Sequence, residues 1–200
     1  MIALAQSAEA KIVYTKTYIT IGKRLSLNLD HYGRRDFAFS HYSYTHRSTT
    51  AGSLTILRQF QVKPEAANGV VGGGYAAALK AGVRIGPHQK FQNDTQIMFA
   101  WQKHCSRTAS TTCHSRSSGN WKDVMDRYLG LKFFVAGKVH YGWARLNETE
   151  IYATLTGYAY ETIPNKPIIA GKTHGKDVIT LQGRSLGHLA RGASAIPAWR

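Results

Sequence analysis

The chain has 200 residues, of which 43% are hydrophobic and 11% aromatic, and this composition excludes wholesale disorder. The 26 Lys and Arg residues outnumber the 11 Asp and Glu residues, giving a formal net charge of +15 that predicts attraction to polyanions such as nucleic acid, anionic glycans or cell-envelope polymers. Because the basic residues are scattered, with no run longer than Arg34-Arg35, we do not expect specific binding to nucleic acid.

Residues 1–10 have the pattern of the end of a secretory signal peptide whose charged start is missing. Ala8-Glu9-Ala10 fits the small-x-small cleavage rule, and strand-forming sequence begins at Lys11. An alanine-rich coil is the alternative interpretation. We therefore predict an exported protein with a remnant signal over residues 1–10. No other segment approaches about 20 uninterrupted apolar residues, so we expect no membrane-spanning helix.

Two strands are predicted in the first third of the chain. Residues 11–21 are dominated by β-branched and aromatic side chains, which suit a pleated surface. Further on, Leu54, Ile56, Phe60 and Val62 fall on one side of an alternating pattern.

A glycine-rich segment follows over residues 70–87. It lacks Gly-Lys-Ser/Thr and the spacing of a dinucleotide-binding loop, so a phosphate site is not indicated. The sequence predicts a turn and then one or two turns of helix from Tyr75 to Lys80.

The two cysteines, Cys105 and Cys113, lie in a Ser/Thr/His/Arg-rich stretch that is typical of an exposed loop. A disulfide between them would stabilise that loop by about 2 to 3 kcal/mol in the chain-entropy estimate. The flanking residues His104 and His114 raise the alternative of a Cys₂His₂ zinc site. However, adjacent residues of an extended chain point to opposite sides, and the spacing matches no familiar zinc module.

The second half of the chain carries the clearest strand pattern. Leu131, Phe133 and Val135 alternate before the turn at residues 136–138, and residues 140–146 return as the second strand of a hairpin. A third strand should place Ile151, Ala153, Leu155, Gly157 and Ala159 on one face and Tyr152, Thr154, Thr156, Tyr158 and Tyr160 on the other. Successive strands without intervening helices predict an all-β fold, an antiparallel jelly-roll-like β-sandwich over residues 11–182 with one or two short helices.

Residues 128–146 and 155–171 resemble a group of uncharacterised exported bacterial proteins, many of which carry a PEP-CTERM-type tail for exosortase sorting. The specific segments are Tyr141-Gly-Trp143 and Gly157-Tyr-Ala-Tyr-Glu161. Residues 183–200 resemble a degenerate form of that tail, because Pro-Glu-Pro is absent and His188 and Arg191 interrupt the apolar run. The resemblance implies an exported β-sandwich and no known reaction.

Residues 28–36 are similar to the Asp-x-Asp-x-Asp-Gly-x-x-Asp calcium loops of related exported proteins. Asn28, Asp30 and Asp36 would supply the oxygen ligands that Ca²⁺ requires. Tyr32 replaces the third acidic residue, and the neighbouring Arg34-Arg35 pair adds positive charge, so the site should be weak. The alternative is a β-turn that leads into the next strand.

Two functions from different classes follow from these patterns. A non-catalytic envelope protein could bind an anionic polysaccharide or matrix through exposed aromatic and basic side chains, at Tyr141, Trp143, Arg145, Tyr158 and Tyr160. The alternative for the same residues is that one of these faces lines the core of the sandwich. The second function is a secreted hydrolase, for which two carboxylates, or a carboxylate and a histidine, should meet in a pocket.

Overall fold

The computed structural model describes residues 11–32, 34–50, 52–107, 110–149 and 152–182. The fold is all-β, and no helix is present among these residues. The strands are β1 (Ile12–Ile21), β2 (Arg24–Leu27), β3 (Phe37–Ser48), β4 (Ser53–Pro64), β5 (Gly69–Val71), β6 (Arg84–Ile85), β7 (Phe91–Gln92), β8 (Gln96–Arg107), β9 (Thr111–Ser118), β10 (Val124–Val135), β11 (Lys138–Glu148), β12 (Ala153–Glu161), β13 (Ile168–Ile169) and β14 (Val178–Gln182).

Two large sheets form the body of the protein. One has seven strands in the order β14-β1-β12-β11-β10-β5-β7, and the other has five in the order β2-β3-β4-β8-β9. All neighbours in these sheets are antiparallel except β1 and β14, which are parallel. A two-stranded ribbon pairs β6 with β13. The predicted antiparallel β-sandwich is therefore confirmed.

The seven-stranded sheet is covered on both faces along its central strands β11 and β12, whereas its edge strand β14 is largely exposed. Its inner face packs against the five-stranded sheet in a first core, where Phe39 and Phe60 meet Leu131 and Leu146. Its other face is covered by the segments that carry β6 and β13, and this second core contains Trp143. The near-continuous burial of β12 follows, since neither face of this central strand reaches solvent.

A β-bulge at Thr156 corrects the predicted faces of β12. On β11 the consecutive residues Arg145 and Leu146 pair with Gly157 and Leu155, so Thr156 has no opposite partner. An extra residue reverses the alternation of side chains beyond it. Leu155 and Tyr158 consequently both lie in the first core, whereas an unbroken strand would place them on opposite faces.

Two local expectations are wrong. The segment predicted to be helical from Tyr75 to Lys80 is extended, and it is tied to the sheets by isolated bridges such as Leu79 with Tyr128. The cysteine stretch is a regular hairpin of β8 and β9 and not a loop.

The disulfide itself is present. Cys105 and Cys113 are directly opposite across β8 and β9 and are bonded to each other. The Cys₂His₂ zinc alternative is thereby excluded, because these sulfurs are not thiolates and the adjacent histidines point to the opposite face of the hairpin.

The predicted strands at residues 11–21, at residues 54–62 and in the hairpin around residues 136–138 are found as β1, β4 and β10–β11. The predicted signal remnant at residues 1–10 and the tail at residues 183–200 lie outside the described residues.

Candidate polyanion interface

The five-stranded sheet extends well beyond the core. In β3 the six consecutive residues from Tyr42 to Arg47 are exposed, and in β9 all eight residues are exposed. Consecutive residues of a strand point to opposite faces, so both faces of the sheet reach solvent here. We call the described residues within 42–58 and 101–118 the projecting sheet.

The projecting sheet holds its shape through pairing along its full length. The β3–β4 ladder continues without a break from Phe37–Pro64 to Ser48–Ser53, and β8 pairs with β9 from Ala100–Ser118 to Arg107–Thr111. Thr-rich and aromatic segments favour such ladders. The Cys105–Cys113 disulfide closes the edge hairpin, so the side chains of this exposed region are held at fixed spacings.

The charge of the projecting sheet is entirely of one sign. Residues 42–58 and 101–118 contain no Asp or Glu, and the 11 acidic residues of the chain all lie elsewhere. The Lys and Arg residues in these segments are Arg47, Arg58, Lys103, Arg107 and Arg116, and the histidines are His46, His104 and His114.

The inner face of the projecting sheet is the side of the five-stranded sheet that carries Phe60. On this face, basic side chains lie next to apolar ones. Arg58 lies directly opposite Trp101, and its guanidinium carbon is 5.5 Å from the centre of the indole ring. Lys103 lies opposite Ile56 on the same face. A cation over an aromatic face remains able to contact an anion from its other side.

The outer face of the projecting sheet carries a groove along β8 and β9. Arg116 donates from Nε and Nη2 to Oε1 of Gln102 over 3.0 and 2.8 Å, which fixes the guanidinium against the sheet. Two adjoining depressions of about 260 and 390 Å³ share these two residues. One depression reaches His104 and His114, and the other reaches Tyr75.

The predicted aromatic site is not assembled on the surface. Tyr141 and Trp143 are 4% and 0% exposed in the second core, while Tyr158 and Tyr160 pack in or against the first core on the other side of the sheet. Burial accordingly raises the pKa of Tyr141, Tyr158 and Tyr160. Stacking on a sugar requires an open ring face, so these rings do not form a binding platform.

Arg145 has a structural role at the bulge. Its Nε donates to Oγ1 of Thr156 over 2.8 Å, and its Nη2 donates to the Thr156 carbonyl over 3.2 Å. These bonds satisfy polar groups that the extra residue removes from the β11–β12 ladder. The residue predicted to bind a ligand is therefore the one that stabilises an irregularity in the sheet.

Two of the predicted calcium residues, Asp30 and Asp36, already accept hydrogen bonds from the protein. Asp36 is buried and accepts the Leu29 N–H over 2.8 Å at Oδ2 and the Asn68 amide over 3.2 Å at Oδ1. Asp30 accepts the N–H of Tyr32 over 2.9 Å. Burial raises the pKa of Asp36, and the Leu29 N–H acts against that rise.

Asn28 Oδ1 is buried without a hydrogen-bond partner in the described part of the chain. Across the described ranges, no group of three or more His, Cys, Asp or Glu side chains is arranged to hold a metal ion. The calcium site stays a prediction, and the geometry adds no support to it.

Two cavities bear on the alternative of a hydrolase. Asp36 and Glu65 line one cavity of about 540 Å³, where Glu65 lies 3.6 to 3.9 Å from Arg24, Arg35 and Lys63. Since Asp36 is held by Leu29 and Asn68, both carboxylates already have structural partners.

His41 and Glu148 line a second cavity of about 180 Å³. Nδ1 of His41 is 2.8 Å from the carbonyl oxygen of Gly22, so this nitrogen already has a backbone partner. Asp36, Glu65 and Nδ1 of His41 therefore already have structural partners in these cavities.

The fold and the exposed surface define a strongly basic, disulfide-bonded β-sandwich with a projecting sheet. No family model, curated protein or solved structure matches the chain. None of the described segments forms a helix of the length and apolarity needed to cross a membrane. The disulfide is compatible with an extracellular location.

Proposed function

We propose that the protein is an exported, non-catalytic β-sandwich that binds an anionic polysaccharide of the cell envelope or matrix through its projecting sheet. The observation that carries this proposal is the absence of any acidic residue from two exposed hairpins that together hold five Lys and Arg residues. Cations held on an exposed, fully paired sheet attract the repeating carboxylates or sulfates of such a polymer.

The short polar side chains between the cations support a carbohydrate partner. All eight residues of β9 are exposed, and six of them are Ser, Thr or His, which donate and accept hydrogen bonds as sugar hydroxyls do. The disulfide favours an oxidising compartment, where envelope polysaccharide is a more abundant polyanion than nucleic acid. Export itself is part of the proposal and is supported by the disulfide and by the signal-like pattern of residues 1–10.

The test is a salt-dependent binding measurement with a charge-removal variant of the inner face. A triple variant should bind dextran sulfate and polygalacturonate more weakly; it combines Arg47→Gln, Arg58→Gln and Lys103→Gln. Removing three contacts should reduce the slope of log affinity against log salt by about 2 to 3.

The matched control removes the same charge elsewhere on the surface. Lys16, Lys138 and Lys176 are exposed outside the projecting sheet, so their combined change to Gln should leave the slope unchanged. Equal losses in the two triple variants would show that net charge alone drives binding and would refute a site on the projecting sheet. Preference for single-stranded DNA over both polysaccharides at equal salt would assign the surface to nucleic acid instead.

A further inference from the structure

We propose that His104 and His114 form a binding site for a divalent transition-metal ion of the class of Cu²⁺, Ni²⁺ and Zn²⁺. The two residues are direct partners across β8 and β9 and are on the same face of the hairpin. Both are exposed and line the same depression of about 260 Å³. Imidazole nitrogens are good ligands for these metals, and two of them within reach of one ion bind it as a chelate.

The disulfide fixes the register that brings the two imidazoles together. Cys105 and Cys113 are the next pair along the ladder, one residue from each histidine. A slip of one residue would break the opposition of His104 and His114 and move one side chain to the other face. A covalent bond beside the pair prevents that slip, so the two rings stay together without a metal.

Thr55 orients one of the two rings. Its Oγ1 is 2.9 Å from Nδ1 of His104, across the β4–β8 ladder. When Nδ1 carries the proton and donates to this hydroxyl, Nε2 holds a free lone pair and can ligate a metal. A hydrogen bond to the second ring nitrogen is the usual device for fixing the tautomer of a ligating histidine.

The surroundings define the rest of the coordination sphere. Arg116 lies two residues beyond His114 on the same face, and Gln102 holds its guanidinium. Its positive charge opposes a bare cation but attracts an anion, such as a carboxylate, as a third ligand of the ion. His46 shares this face but is two strands from His104, at about 10 Å by strand spacing, which is too far for it to share the ion.

The test is calorimetric titration of the full chain with NiCl₂. His104→Gln and His114→Gln should each lower the affinity by roughly 10²-fold, because the remaining imidazole loses its partner for the chelate. Thr55→Val should lower it by roughly tenfold, since the hydroxyl contacts the ring and not the metal.

His46→Gln and His88→Gln are the controls, because both histidines are exposed and lie apart from the pair. Neither control should alter the affinity. In NMR spectra, Ni²⁺ should broaden the ring signals of His104 and His114 before those of the other histidines. Equal affinity of the parent and His114→Gln, or first broadening at another histidine, would overturn the proposal. The polysaccharide measurements are made with EDTA present, so the two proposals fail independently.

Discussion

The substitution Trp143→Ala tests whether this side chain is a buried core residue or part of an exposed binding platform. The Trp143 side chain is 0% exposed, and its ring centre lies 5.2 Å from that of Tyr128 and 5.7 Å from that of Tyr14. Truncating a buried Trp to Ala costs about 3 to 5 kcal/mol. Nε1 of Trp143 is buried without a hydrogen-bond partner in the described residues, and losing such a group returns part of its desolvation cost. We therefore expect the lower end of that range, about 3 kcal/mol.

Urea unfolding followed by circular dichroism measures this loss. For a domain of this size, about 3 kcal/mol corresponds to a fall in Tm of about 6 to 12 °C. Tyr44→Ala is the control, because Tyr44 is 45% exposed on the projecting sheet and its truncation should stay within about 0.5 kcal/mol. A cost below about 1 kcal/mol for Trp143→Ala, together with lost binding to polysaccharide, would refute the burial argument and restore the aromatic platform.

Three further predictions concern the loop and the disulfide. Asp36→Ala leaves the buried Leu29 N–H without its acceptor and should cost about 1 to 3 kcal/mol in urea unfolding; a neutral result would refute that role. Burial raises the pKa of Asp36 above its ordinary 3.8. The stabilisation from this carboxyl is therefore complete below pH 3.8 and is lost as the pH rises through the pKa of the folded protein. The unfolding free energy lost in Asp36→Ala should accordingly be larger at about pH 3.5 than at about pH 7. Replacing both Cys105 and Cys113 with Ser should cost about 2 to 3 kcal/mol and increase amide exchange first in β8 and β9, whereas unchanged exchange there would show that the ladder alone holds the hairpin.

The strands that bury one face were predictable from the sequence. Phe60 and Val62 of β4, and Leu131 and Phe133 of β10, alternate with less buried residues and lie in the first core as expected. Period-two burial leaves this signal wherever one face packs and the other does not. It weakens in β12, where both faces are buried and almost any apolar order is allowed.

The bulge at Thr156 shows why the predicted faces of β12 were wrong. The aromatic site is buried for another reason, because both faces of β11 and β12 are covered. Face assignments from alternation assume an unbroken strand, and one extra residue reverses every assignment beyond it. Gly157, directly after the extra residue, was the available signal, because a glycine inside a strand often marks a bulge. The hydrogen bonds that stabilise the bulge come from Arg145 on the neighbouring strand β11, so the sequence of β12 alone does not predict them.

The hairpin of β8 and β9 was missed because β9 lies at the edge of its sheet and is exposed to solvent. Both faces of β9 are solvated, so its sequence lacks the apolar alternation that predicts a strand. A signal was nevertheless present in the mirrored order His104-Cys105 and Cys113-His114, since a symmetric arrangement about a turn pairs like with like across an antiparallel ladder. The helix expected near Tyr75 failed because tertiary bonds, such as the Ala76 N–H donating to the Ile97 carbonyl over 3.0 Å, hold that segment extended.

The electrostatics of the projecting sheet provide the physical link between fold and proposed function. Arg58 on β4 and Lys103 on β8 are diagonal neighbours on the inner face of the projecting sheet, and this sheet has no acidic residue of its own to offset their repulsion. Its exposed strands also bury little apolar surface that could compensate. Disulfide pairing at Cys105–Cys113 and the Arg58–Trp101 contact stabilise the arrangement without neutralising it. A bound polyanion would remove the repulsion directly, so ligand binding should raise the thermal stability of β8 and β9 most, and this gain should diminish as salt screens both effects.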